Sequence, residues 1–155
     1  MGNEMTTDRN KNLQELEHDD WGEPNYDSHL VATCHQLRRK PLRDFTVEDM
    51  RIMVGQGIGL EYLAPMALEV LEQNPFAEGD YYPGDLLSCL LAGTPRDFWA
   101  SHSELSVRMS RVLSNAEAGI KELPDADGQT ITRSLSEVSS QTKYIKEQAK
   151  ENSSP

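Results

Sequence analysis

Apolar residues recur along this chain in steps of three and four, separated by clusters of glycine, proline and acidic residues, and no stretch alternates as a strand would. The pattern predicts an all-α fold, a single compact bundle of about five to seven helices whose short connections favour antiparallel neighbours. Residues 1–11 are polar and read as a disordered tail. Asn12 to His18 predicts a short helix with Leu13 and Leu16 on one face. Trp21-Gly22-Glu23-Pro24-Asn25 predicts a turn whose tryptophan anchors the N-terminal arm. Asp27 or Ser28 caps the next helix, because either side chain can accept from a first-turn N–H that lacks a partner. Leu30, Val31, Cys34 and Leu37 form its apolar stripe, Arg38-Arg39-Lys40 suits the negative end of its dipole, and Pro41 stops it.

Thr46-Val47-Glu48-Asp49 opens a further helix with a cap and two early carboxylates, and Val47, Met50, Ile52, Met53 and Val54 bury most of it. Gly55-Gln56-Gly57-Ile58-Gly59 breaks it. Leu60 to Gln73 continues as helix with Leu63, Ala67, Leu68 and Leu71 inward. Pro65 either begins the regular part of that helix or kinks it, since its ring clashes with the carbonyl four residues back. Asp85 caps a segment from Leu86 to Leu91 that Gly93-Thr94-Pro95 ends, and Phe98 and Trp99 lead into a helix from Ser103 to Leu123. Asp125-Ala126-Asp127-Gly128 reads as a loop. Ile131, Leu135, Val138, Thr142, Ile145 and Ala149 then draw one narrow stripe along a final helix that needs a surface to lie against. The expected organisation is thus a tail over 1–11, a helical domain over 12–123, and a C-terminal loop and amphipathic helix over 124–155, partly disordered at its end. Val31, Leu37, Met50, Met53, Leu63, Leu68, Leu71, Leu87 and Leu90 are the expected core, with Trp21 and Trp99 at least half buried.

Charge narrows the choice of partner. The 155 residues carry 26 acidic against 15 basic side chains, a net charge of -11, which disfavours nucleic acid and anionic membrane and favours a basic protein surface. Solubility alone accounts for such a charge equally well. No run approaches the ~18 apolar residues of a membrane span, and the polar N-terminus lacks the pattern of a signal peptide, so a cytoplasmic protein is expected. Cys34 and Cys89 sit in apolar helical patterns without CxxC spacing and read as buried structural thiols.

Three constellations tempt a catalytic or cofactor assignment. In Gly55-Gln56-Gly57-Ile58-Gly59 the third glycine falls one place early for a dinucleotide fingerprint and a helix precedes it, so a tight helix–helix turn is the better reading. His18-Asp19-Asp20 with His29 and His35 lacks the spacing of a metal site. Glu78, Asp80 and Asp85 suggest paired carboxylates, but a loop rich in glycine and proline gives no sign of the cleft that acid–base hydrolysis needs. No catalytic residue, metal or cofactor is assigned.

The chain resembles one family over about Leu16 to Trp99. Asp20-Trp21-Gly22-Glu23-Pro24, Ser28-His29-Leu30-Val31 with Cys34 and Leu37-Arg38, Lys40-Pro41-Leu42, Phe45-Thr46-Val47-Glu48-Asp49 and Arg51-Ile52-Met53-Val54-Gly55-Gln56 are similar to immunity proteins of bacterial contact-dependent growth inhibition systems. Gly59-Leu60, Leu63, Pro65, Ala67-Leu68, Leu71, Asn74-Pro75 and Glu78-Gly79-Asp80-Tyr81-Tyr82-Pro83-Gly84-Asp85-Leu86-Leu87 carry the same resemblance; from Ser101 onward there is none. It implies a small cytoplasmic protein without catalysis of its own that binds, one to one, the C-terminal toxin domain of a large exported adhesin. Many such toxins are nucleases with basic substrate faces, which an acidic inhibitor complements. Two other readings stay open, a helical adaptor or chaperone docking through the C-terminal stripe and a metal-dependent hydrolase using the Asp/Glu/His clusters.

Exposed aromatics flanked by carboxylates suit a desolvated contact with lysine or arginine, and loops carry recognition more often than core helices. The expected binding face is therefore Glu78, Asp80, Tyr81, Tyr82 and Asp85, helped by Glu61 and by an acidic N-terminal edge at Asp19, Asp20 and Glu23. Equally, Tyr81 and Tyr82 are the kind of residues that cover a core while the loop joins two helices.

Overall fold

The computed structural model describes residues 7–25 and 28–152. The described residues form nine α-helices: α1 (Leu13–Glu17), α2 (His29–Arg38), α3 (Val47–Gly55), α4 (Leu60–Gln73), α5 (Asp85–Gly93), α6 (Arg96–Ser101), α7 (Ser103–Gly119), α8 (Asp125–Glu137) and α9 (Ser139–Asn152). Their only strand-like feature is one isolated antiparallel bridge, Glu78 with Pro83. The fold is all-α. The helix count exceeds the expected range because Phe98 and Trp99 lie in a short helix of their own and the C-terminal stripe is broken at Val138.

α3 packs against α5, and α4 and α9 pack along α7. Together they enclose the core, where Met53, Leu63, Leu68, Leu87, Leu90, Trp99 and Leu113 are fully buried. Leu37, Met50 and Leu71 join them as expected, whereas Val31 is half-buried. Two glycines allow α3 and α5 to touch. A Cβ on Gly93 would overlap the carbonyl oxygen of Val54, and one on Gly55 would lie 3.4 Å from Cys89 Cβ. The turn between α3 and α4 is tight because Gly57 and Gly59 adopt φ of 69° and 67°. α4 passes through Pro65 without ending.

Ser28 caps α2 by accepting from the Val31 N–H, while Asp27 lies outside the described residues. Asn12 and Glu15 form a capping box on α1, as do Thr46 and Asp49 on α3. Leu13 holds the N-terminal arm most deeply, fully buried and 2.7 Å from any Cβ on Gly59, while Trp21 rests on His35 and Arg38 of α2. Of the tail expected over 1–11, residues 1–6 lie outside the described residues. Arg9 and Lys11 are held, their carbonyls accepting from the Arg43 and Leu42 N–H groups. Trp21 keeps 41% of its surface exposed and is just over half covered.

Asp125 to Gly128 is not a loop but the first turn of α8, with Asp125 and Asp127 near its positive end. Ile131, Ile145 and Ala149 are buried, so the C-terminal stripe faces the chain's own core. Gln141 strengthens the attachment by donating to the carbonyls of Leu91 and Thr94.

Candidate binding face

The loop between α4 and α5 is built around two carboxylates. Asp85, only 1% exposed, accepts from the backbone N–H groups of Gly79 at 2.7 Å, Tyr81 at 3.0 Å and Tyr82 at 3.4 Å. Its side chain therefore reaches back to fold the loop. Gly84, not Asp85, is the cap position of α5, and the Asp85 carboxylate, turned into the loop and 1% exposed, offers no free surface for a partner. Glu48 of α3 accepts from the Asp80 N–H at 2.8 Å and from two nitrogens of Arg51 at 2.7 and 2.6 Å. Arg51 also stands 3.9 Å from Asp85 and stacks its guanidinium 4.4 Å from the centre of the Tyr81 ring. Gly79 has no room for a side chain, because a Cβ would overlap Glu48 Oε1.

The hydrogen bonds from Arg51 hold the Glu48 carboxyl below its ordinary value of 4.5, and Glu48 in turn raises Arg51, with partial burial opposing both shifts. A carboxylate whose folded-state value is depressed contributes stability that is complete above its unfolded value and fades as pH falls through the folded one. The loop is therefore expected to stay closed at neutral pH and to loosen below about pH 4.5, the ordinary carboxyl value. Hydrogen exchange at Gly79, Asp80 and Tyr81, followed from pH 7 to pH 3, will show protection falling only in the acidic range. Glu48→Gln will remove that dependence.

Most of the loop motif is thus occupied in holding its own shape. Tyr82 donates or accepts at 2.9 Å with Ser134 of α8, and a Cβ on Gly84 (φ 94°) would lie 2.5 Å from Ile131. Tyr81 is different: 69% of it is exposed. The side chains of Glu78 and Asp80 are exposed beside it.

The other predicted residues do not join this cluster. Asp20 accepts from the Gly22 N–H, the Asp19 carbonyl accepts from Arg38, and Glu23 pairs with Arg39. They gather around Trp21, which packs against His35 and Arg38 of α2. His29 and Thr33 of the same helix instead face the loop across a groove. Glu61 is engaged by His102 at 3.2 Å. Among the described residues no three His, Cys, Asp or Glu side chains converge as metal ligands would. No helix among them is long and apolar enough to cross a membrane.

Sequence reasoning missed the part played by Arg51 and Glu48, although their spacing of three on one helix was a signal of pairing. It also placed Leu30 among inward residues and Cys89 among buried ones. Leu30 is 42% exposed at the N-terminal end of α2, and Cys89 is partly exposed on α5, while Cys34 is buried.

The charge is unevenly spread. Residues 1–100 hold 18 acidic and 8 basic side chains, against 8 and 7 in residues 101–155. The chain is thus an acidic all-α protein whose hydrogen-bonded loop leaves Tyr81 exposed. Residues 15–109 match the family of CDI immunity proteins, the immunity components of contact-dependent growth inhibition, and the chain belongs to that family. No curated protein and no solved structure matches it.

Proposed function

We propose that this chain protects its own cell by binding, one to one, the C-terminal toxin domain of a cognate contact-dependent growth inhibition effector in the cytoplasm, with no catalysis of its own. The toxin face it covers is basic, as on a nuclease, and the contact is centred on the loop over 78–85. The observation that carries this reading is the division of labour within the loop. Asp85 and Glu48 hold four of its backbone N–H groups, yet Tyr81 at its tip is 69% exposed. A preorganised loop loses little conformational freedom on binding, so its exposed aromatic can act as an anchor. The acidic excess over residues 1–100 supports a basic partner, because complementary charge speeds encounter and fixes register. Asp19, Asp20 and Glu23 then act as a flanking acidic edge, and Glu61, exposed although paired with His102, adds to the acidic surface.

The adaptor alternative needs the C-terminal stripe as a docking face. Ile131, Ile145 and Ala149 are buried within the protein itself, so that stripe is already used. Co-expression with the toxin domain encoded beside this chain provides the test. Cells producing both are expected to grow and to yield a complex that co-purifies, whereas growth arrest despite soluble protein contradicts the proposal. Replacing Asp80 and Tyr81 together with alanine is expected to weaken the complex by about 2 kcal/mol, the scale of an interface hot spot. Because Asp85 and Glu48 still hold the loop's backbone N–H groups, the helical circular dichroism should stay unchanged.

A further inference from the structure

Beside the loop lies a groove of about 560 Å³ between α2, α3 and α5. Its lips are Leu30 and Tyr81, two of the three large apolar side chains left exposed among the described residues. Its walls include Ile52, Cys89 and Ala92, and Gly55 adds depth by contributing no side chain. The groove also contains a guanidinium, that of Arg51, but Glu48 binds it through two nitrogens and Asp85 stands 3.9 Å away. Of the remaining polar lining, His29, Thr33 and Gln56 carry no fixed charge and Asp80 is acidic and exposed beside Tyr81, with the exposed Glu78 two residues before it.

We infer that this groove receives a single apolar side chain of the toxin domain, flanked on the toxin by a lysine or arginine that Asp80 and Glu78 accept. The inference rests on the function proposed above and supplies the partner's chemistry. An aliphatic or aromatic side chain fits because Leu30, Ile52, Tyr81, Cys89 and Ala92 offer it apolar contact, beside the polar His29, Thr33 and Gln56. A cationic neighbour fits because the groove's own cation is neutralised while its rim carboxylates face outward. A second acidic partner would meet like charge and be rejected.

The two cysteines make the groove readable without mutation, since Cys89 lines it and Cys34 is buried with its thiol pushed up by desolvation. Alkylation by N-ethylmaleimide, followed peptide by peptide in the intact protein with and without the toxin domain, is expected to slow at Cys89 by roughly tenfold or more, since thiol reactivity follows access. Cys34 should remain unreactive in both states. A second variant, Ala92→Trp, fills the groove from its exposed rim on α5 and should weaken toxin binding by at least about tenfold while helix content and melting temperature stay unchanged.

If the Asp80/Tyr81 variant loses binding but Cys89 reacts at its free rate in the complex and Ala92→Trp binds like the parent, the groove is empty in the complex. The inference then fails while the proposed function stands. If the parent forms no complex at all, both fail. A parent that is dimeric by light scattering, made monomeric by Ala92→Trp with toxin affinity unaltered, would assign the groove to a second copy of this chain and also overturn the inference.

Discussion

Asp85→Ala will destabilise the protein by about 3–5 kcal/mol, the cost of breaking a buried charged network by removing one partner. Asp85 is only 1% exposed, and its carboxylate is the shared acceptor for the Gly79, Tyr81 and Tyr82 N–H groups. Alanine leaves those three donors without their acceptor in a partly covered loop and leaves Arg51 with one carboxylate fewer. Asp85→Asn keeps one acceptor oxygen and should retain roughly half of the lost stability, on the scale of one or two neutral hydrogen bonds. Urea unfolding followed by circular dichroism measures both, and an alanine variant within 1 kcal/mol of the parent, about the net worth of one ordinary hydrogen bond, would contradict this role. In conditions where the variant remains folded, toxin affinity should fall as well, because Tyr81 is then presented from a mobile loop.

Gly93→Ala is expected to cost more than about 3 kcal/mol, at the upper end of overpacking effects. The new methyl would overlap the Val54 carbonyl oxygen and come within 2.9 Å of the Gly55 carbonyl carbon and Cα. These are backbone atoms on α3, so no rotamer change relieves the overlap and α5 must move away from α3 as a unit. The groove between the loop and these helices would widen with it. Gly22→Ala makes a useful contrast, since a Cβ there meets nothing within 4 Å and only its positive φ opposes the change. Its cost should stay near 1 kcal/mol, the ordinary penalty for a non-glycine residue at positive φ. Thermal unfolding of the two variants side by side separates the crowding effect from the general loss of a glycine.

The helices were legible because their signals are local. Ser28, Thr46 and Asn12 are cap residues by chemistry, and Met50, Met53, Leu63, Leu68 and Leu71 are inward by period. The α8 start was misread because Asp125-Ala126-Asp127-Gly128 has turn composition, whereas Pro124 preceding two carboxylates is also a sound helix beginning. Leu30 shares the period of Cys34 and Leu37, but α2 packs chiefly against α3 and leaves Leu30 42% exposed.

The candidate face was legible as a segment and not as a set of roles. Nothing in the order Glu78-Gly79-Asp80-Tyr81-Tyr82-Pro83-Gly84-Asp85 reveals that Asp85 turns inward, that Tyr82 ends on Ser134, and that Tyr81 alone of the pair is left uncovered. Those outcomes depend on Glu48 and Arg51, about thirty residues away in sequence. They depend also on α8, which lies outside the stretch that matches the family. Long-range pairing of this kind has no periodic signature.

The central claim, that this chain neutralises a toxin by binding it, is tested most directly by isothermal titration calorimetry with the toxin domain encoded beside it, rendered harmless by substitution of its own catalytic residue. The account predicts one-to-one binding with a Kd of roughly nanomolar order, as in other compact inhibitory complexes, weakening as salt is raised. Absence of a complex at micromolar concentrations of both folded proteins would contradict it.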